Sequence, residues 1–440
     1  MEEHEIVVEL NRTSLILAFA FVLVGTVSWA EDAPKKARPL GAADSFLDNE
    51  YYKIFLDMRQ RFGFANRDGL DRSEAITLRT RLGIGTKPIA GFSVFAELQN
   101  IVSYCKSCYF DAVETPTGDT PIADPTNTDL NRLFLRYENE GDKPFKVIAG
   151  RQRIVYDDAR FVGNVGWRQH EQTYDAGYGE TNFGLEALSA RYAYVWNVKR
   201  IFGDPGGNPG RADFDSKSHI ATLAYDFSKN DRHAPKVEVF AYLLDLHNSV
   251  PATDGNSSNT YGFRLTGAWP FSEDWKLGYI ASYAHQSDGG SNPTHYNAHY
   301  AWISADLGYT PIGFLELGFE LLGSDSGDAQ FRTPLATAHK FNGFADVFLD
   351  NGGATGLRDF FATVAPKLPW GIKAKFIYHK FWDDDSGNDL GNEYDAVVSK
   401  ALSHGFSILG KYAYYDASQR AQNLGRQNIW RMTVDIGFKY

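Results

Sequence analysis

Arginines carry the most regularly spaced chemistry in this chain. Arg59 and Arg61, and again Arg79 and Arg81, lie two residues apart, the interval that puts both side chains on one face of a β-strand. Arg132 and Arg136 lie four apart, and Arg151, Arg153, Arg160 and Arg168 follow within one short stretch. A guanidinium offers planar, paired donors to a carboxylate or phosphate, so a row of them suits an anionic partner. One cation about 7 Å from a carboxylate contributes roughly 0.6 kcal/mol in water and about 2.4 kcal/mol at an effective dielectric of 20. Several such weak sites in series bind an anion firmly enough to admit it and loosely enough to release it. The competing reading is structural, with these arginines paired to Asp57, Glu97 and Asp175 and stiffening a wall.

Other motifs are less informative. Cys105-Lys106-Ser107-Cys108 has no βαβ context for redox work and reads as a local disulfide that stiffens a loop. For so small a ring the chain-entropy gain is roughly 2 kcal/mol. Asp383-Asp384-Asp385-Ser386-Gly387-Asn388-Asp389 resembles a calcium-binding acidic turn, but the EF-hand spacing fails. A solvated loop, or one bridged by divalent ions, fits it as well. There is no GxSxG elbow and no HExxH, and the histidines and carboxylates do not pair at informative spacings. The expectation is therefore a protein that is not an enzyme and uses no cofactor or metal; an outer-membrane hydrolase or an adhesive barrel is the alternative outside transport.

The elements that hold these residues are set by composition and period. The 440 residues include 31 Phe, 24 Tyr, 9 Trp and 41 Gly but only 3 Met and 2 Cys, and charged residues are 22 %. Beyond residue 30 no stretch approaches the roughly 18–20 apolar residues of a spanning helix. Such an aromatic chain would not stay disordered. Its balance points to an all-β protein in an oxidising compartment, and a formal charge of −11 argues against a nucleic-acid partner.

At the amino end, Leu15 to Val24 is a short apolar run after Arg12 and before Ser28-Trp29-Ala30. It reads as a secretory signal peptide, residues 1–30, cut after Ala30. Glu2, Glu3, Glu5 and Glu9 precede it where an export signal begins basic, which places the expected translation start near Val8 or Leu10. Removing residues 1–30 takes away four Glu and one Arg and leaves a charge of −8. Residues 31–50 read as a periplasmic lead-in.

From 51 to 440 the sequence falls into segments of about ten residues alternating polar and apolar, the strand period. The last is the clearest: Trp430, Met432, Val434, Ile436, Phe438 and Tyr440 share one face, while Arg431, Thr433, Asp435 and Lys439 share the other. Eighteen such segments can be counted, although those near 171–178, 236–246 and 357–366 alternate poorly and would reduce the count to sixteen. Short polar turns such as 86–88 and 310–312 alternate with long loops such as 102–128, 153–170 and 324–356. Aromatics cluster at segment ends, as girdles at two membrane interfaces do. The expected fold is all-β, a transmembrane up-and-down antiparallel β-barrel of 18 strands over 51–440, in a bacterial outer membrane. Its apolar face meets lipid and lipopolysaccharide, and its arginine-rich face lines the lumen. Residues 324–356, with Phe331, Phe341, Phe344, Phe348 and Leu349, are too apolar for a simple exposed loop, and fold inward as a plug or gate or pack as a lid.

Three stretches resemble the bacterial outer-membrane alginate export proteins: RTRLGIGTKPIAGFSVFAELQN at 79–100, LNRLFLRYEN at 130–139, and AGRQRIVYDDARFVGNVGWRQHEQTYDA at 149–176. The resemblance implies an eighteen-stranded channel for export of an anionic uronate polysaccharide through an arginine-rich constriction. By position it assigns Arg79, Arg81, Arg132, Arg136, Arg151, Arg153, Arg160 and Arg168 to the path, with Asp157, Asp158 and Asp175 ordering the loop around them. Arg59 and Arg61 join the path from their place on the same wall. Tyr440 resembles the terminal aromatic read by the barrel assembly machinery, and periplasmic export partners are implied as well. The alternative within transport is a porin for small anionic nutrients.

Overall fold

The computed structural model describes residues 48–113, 118–203, 211–229, 231–248 and 251–440. The proposed leader and translation start lie outside the described residues. Eighteen strands form one antiparallel sheet. The first nine are β1 (Tyr52–Arg67), β2 (Ser73–Thr86), β3 (Phe92–Ser103), β4 (Asn127–Asn139), β5 (Phe145–Gln152), β6 (Thr173–Thr181), β7 (Leu188–Lys199), β8 (Asp213–Asp226) and β9 (Lys236–Leu244). The others are β10 (Ser258–Pro270), β11 (Trp275–Asp288), β12 (Asn297–Tyr309), β13 (Gly313–Leu322), β14 (Leu357–Pro366), β15 (Lys373–Trp382), β16 (Asp389–Ala401), β17 (Phe406–Ala417) and β18 (Ile429–Lys439). Each pairs with its sequence neighbours, and β1 pairs with β18 from Asp57 opposite Lys439 to Arg67 opposite Ile429. The sheet is thus closed and leaves no strand edge to lipid. The weakly alternating segments are strands too, so the count is eighteen rather than sixteen.

Alternation decides the two faces. Leu82, Ile84, Leu98, Leu133, Leu135, Ile303, Leu315 and Leu317 are exposed on the outside, where lipid covers them, while Arg79, Arg81, Glu97, Thr363 and Asp435 are buried within. Rings gather at the strand ends beside the short turns: Trp275 stacks on Tyr309 at 4.5 Å, and Phe92 meets Tyr137 at 4.6 Å. Such amphipathic rings mark the membrane interface. The long loops all lie at one, extracellular end of the barrel, together with the short 68–72 and 383–388 connections, and every connection at the other end is short.

The lumen is not an open tube. Residues 153–172, between β5 and β6, and 323–356, between β13 and β14, both fold into it, and Val162, Phe331, Leu335 and Phe348 are almost completely buried against the inner wall. Burying each such side chain contributes about 1.5–3 kcal/mol, which outweighs leaving these segments in water. Phe161 packs among Phe240, Tyr242, Tyr300 and Phe331, at 5.0–6.0 Å between ring centres. The apolar 323–356 segment is therefore an inward plug.

Candidate functional site

The two inward loops are bonded to each other along their length. Gly163 N–H donates to the Leu335 carbonyl at 2.9 Å, and Thr337 N–H to that of Ala159 at 3.0 Å. Trp167 stacks flat on His339 at 3.4 Å between ring centres, and Arg168 pairs with Asp346 at 2.9 Å. The 341–346 turn is fastened to the far wall, where Ala345 N–H donates to Glu393 at 2.6 Å and Phe344 N–H to Asp395 at 3.0 Å. Gly343 sits over the Glu393 carboxylate with φ +87°, a conformation that favours glycine.

Five of the ten arginines singled out from sequence hold this assembly. Arg59 donates to the carbonyls of Gly166, Trp167 and Arg168 at 2.5–3.2 Å. Arg61 forks onto Asp435 at 2.8 Å, meets Asp124 at 3.0 Å and reaches the Trp167 carbonyl. Arg81 pairs with Glu171 at 3.1 Å. Arg160, inside the loop and fully buried, pairs with Glu320 of β13 at 2.5 Å and donates to Asn342 at 3.2 Å. Arg168 completes the set through Asp346.

Four more face the interior from the wall or its rim. Arg79 pairs with Asp57, Arg132 with Glu97 at 2.6 Å, Arg136 with Glu138 at 2.6 Å, and Arg153 with Glu171 at 2.5 Å. Arg79 is buried, but Arg136 and Arg153 are 38 % and 32 % exposed and Arg132 18 %, so these three guanidiniums still face open space. Glu171 is the hub that sequence reasoning did not select, although it lies within the 149–176 stretch. Burial by itself would raise its carboxyl, but Arg153 and Arg81 hold it well below the usual range, so it stays charged. Asn131 and Asn164 donate to it at 2.6 and 2.9 Å.

Arg151 departs from the expected path. The register sets it opposite Leu133 on one side and Asp175 on the other, on the same face as the exposed Leu135 and Val147. It therefore lies on the outer face near the long-loop rim, forked onto Asp175 at 2.7–2.8 Å. The physical reason is parity: Arg151 shares the odd positions of Val147 and Ala149, whereas Gln152 and Tyr174 point inward. Asp175 accordingly stiffens the outer wall and does not order the loop. Asp157 and Asp158 do meet the inward loop's surroundings. Asp158 pairs with Arg264, while Asp157 lies 3.3 Å from Lys236 and 3.6 Å from Arg191. These groups line a cavity of about 240 Å³ toward the short-turn end, together with Glu238 and Lys340.

Cys105 and Cys108 are joined by a disulfide. In the 383–389 turn, Asp383 accepts from Ser386 N–H and Oγ at 2.8 and 2.7 Å, and Asp384 pairs with Arg358 at 2.8 Å. Among the described residues no group of three or more His, Cys, Asp or Glu is arranged to hold a metal.

Residues 51–416 match the alginate export family. The chain belongs to that family. No curated protein matches the chain. The barrel of this family member is shared with outer-membrane porins. OpdK of Pseudomonas aeruginosa, solved with vanillate, is 13 % identical, with 88 % of this chain and 98 % of that chain covered and a TM-score of 0.66. OccAB4 of Acinetobacter baumannii is 12 % identical over 89 % and 98 % of the two chains, with a TM-score of 0.65. At that identity the likeness shows the fold. Family and fold together make this member of the alginate export family a channel of the bacterial outer membrane, and not an enzyme.

Proposed function

We propose that the channel exports an anionic uronate polysaccharide by facilitated diffusion, along the wall where Arg132, Arg136 and Arg153 leave guanidinium surface open. Membership of the alginate export family over residues 51–416 is the observation that carries this reading. The part-open arginines support it, because each is neutralised on one side by a carboxylate and still offers donors on the other. Arg59, Arg61, Arg79, Arg81, Arg160 and Arg168 hold the wall and the inward loops that set the width of the path. A chain of carboxylates then passes from one weak cationic site to the next, which conduction requires.

A second reading has one observation in its favour: the structurally similar OpdK was solved with vanillate, a small carboxylate. A porin for small anions would use the same open arginines without any fit to a polymer. Single-channel recording on refolded mature protein in planar bilayers, with a salt gradient and titration with oligomannuronate, separates the two. Anion selectivity with block that tightens as the oligomer lengthens supports export, and loss of block in an Arg132→Ala/Arg153→Ala variant assigns it to these side chains. An anion-selective pore indifferent to uronates supports the small-anion porin.

A further inference from the structure

Between Arg132 and Arg136 the inner wall of the barrel turns aromatic. Phe134 of β4 lies midway between those two arginines and shares their face, Phe95 of β3 shares the inward face of Glu97, and Phe55 of β1 that of Asp57 and Arg59. Ring centres are 5.6 Å apart from Phe55 to Phe95 and 5.4 Å from Phe95 to Phe134, the second pair nearly parallel at 22°. Phe55 and Phe95 belong to strands that are not neighbours. They meet because β2, which runs between them, carries glycine at both inward positions there: a Cβ at Gly83 would come to 3.0 Å of the Phe95 ring and one at Gly85 to 3.1 Å. The two glycines let the three rings form one row across four strands.

These rings are not part of the plug's packing. The core that the inward loops make with the wall includes none of the three, and each keeps some of its surface exposed. Inside the barrel no lipid covers them, so water meets apolar ring surface there, and a partner with an apolar face would relieve that contact. Cations frame the row. The Arg132 guanidinium lies 4.4 Å from the Phe95 ring centre and Lys53 Nζ 5.5 Å from that of Phe55. Arg132, Arg136 and Lys53 each have a carboxylate on one side, Glu97 at 2.6 Å, Glu138 at 2.6 Å and Asp48 at 3.5 Å, and each keeps exposed surface on the other. Arg153 reaches the same Glu97 at 3.8 Å, which joins the row to the upper part of the proposed path. An occupant that fits this wall needs a flat, weakly polar face with negative charge at its edge. A uronate pyranose has both, because its C–H bonds make the ring faces apolar while its carboxylate sits on the rim. An inorganic anion has only the charge, and a neutral sugar only the face.

We propose that Phe55, Phe95 and Phe134 form a stacking platform for the pyranose rings of an anionic polysaccharide, with Arg132 and Arg136 receiving the carboxylates of the residues that lie on it. The inference rests on the export reading and adds to it the means by which a polymer is told from a small anion. The cations select the sign of the charge, and the row of rings selects a chain of sugars. Neighbouring rings are about one pyranose length apart, so a chain passes from one to the next without leaving the row, each contact weak enough to break.

The test uses refolded mature protein in planar bilayers, with oligomannuronates and neutral manno-oligosaccharides of equal length as probes, and circular dichroism to check strand content in every variant. Phe95→Leu/Phe134→Leu keeps apolar side chains on the wall and removes two flat faces. It is expected to weaken oligomannuronate block by about tenfold and to flatten its dependence on chain length. Neutral oligosaccharides are expected to slow the wild-type current weakly and that of the leucine variant not at all. Phe95→Tyr/Phe134→Tyr, which restores the faces, should return block close to wild type. Should the double leucine variant fail to fold, Phe55→Leu at the end of the row is expected to show a smaller loss in the same direction. Block of the leucine variants as tight as that of the wild type, with block lost in Arg132→Ala/Arg153→Ala, would overturn the platform and leave the export reading standing. A tyrosine variant as weak as the leucine one would also overturn stacking. A wild-type pore that no oligouronate blocks would overturn the export reading, and the platform with it.

Discussion

Replacing Arg160 with alanine should unlatch the plug while the barrel stays closed. Arg160 contributes nothing to the strand ladder; it runs from the 153–172 loop to Glu320 on β13, with Nε 2.5 Å from the carboxylate and Nη2 3.2 Å from Asn342 on the other inward loop. Its guanidinium also lies 4.9 Å from the Phe341 ring centre. Removing one partner of a buried pair costs about 3–5 kcal/mol, because the other charge stays buried. Glu320 keeps the Tyr300 hydroxyl and the Asn342 amide, each at 2.8 Å, which favours the lower end of that range. At about 3 kcal/mol the balance between docked and undocked loops moves by on the order of 10². Bilayer recording should show this as a rise in mean conductance and frequent large openings, with strand content unchanged by circular dichroism. In Arg160→Ala/Glu320→Gln the stranded charge is gone, so part of the docking should return. Wild-type currents from Arg160→Ala, or a double variant leakier than the single one, would refute the latch.

Three further outcomes follow from the same assembly. His339 is docked as the neutral imidazole, with its folded pKa held down to about 3 by burial, so an undocked loop binds more protons below about pH 6.5. Docking should therefore weaken as pH falls from about 6.5 toward 3, seen as more openings at pH 5 than at pH 7.5, and His339→Gln should remove that dependence. Gly343→Ala should undock the 341–346 turn, since a methyl group there meets the Glu393 carboxylate and the φ of +87° disfavours alanine; the expected loss is about 1–3 kcal/mol, read as increased leak. Cys105→Ser/Cys108→Ser should leave single-channel conductance unchanged and make the 104–113 stretch easier to cleave in limited proteolysis, with at most about 2 kcal/mol involved.

Several of these features were legible in the residues alone. The even positions of β18, from Trp430 to Phe438, name the lipid face without any partner strand. Eighteen such segments with long and short connections imply a closed barrel, because a sheet in lipid cannot leave an edge unpaired. The arginine pairs two apart were also placed correctly on the inner face. What they would touch was not legible, since Arg59 is satisfied by backbone carbonyls more than a hundred positions away. Arg151 shows the opposite failure, because its parity with Val147 was available but its charge drew it into the lumen.

Local period and composition thus determined the barrel, its two faces and the loops that could not remain in water, because each depends on neighbours two residues apart or on total apolar content. The tertiary structure alone decided which arginines are bolts and which still face open space. That division depends on where two loops, separated by 150 residues of chain, meet inside a closed wall. A buried guanidinium must find its carboxylate or carbonyl wherever the packing brings one, and one-dimensional spacing does not encode that meeting.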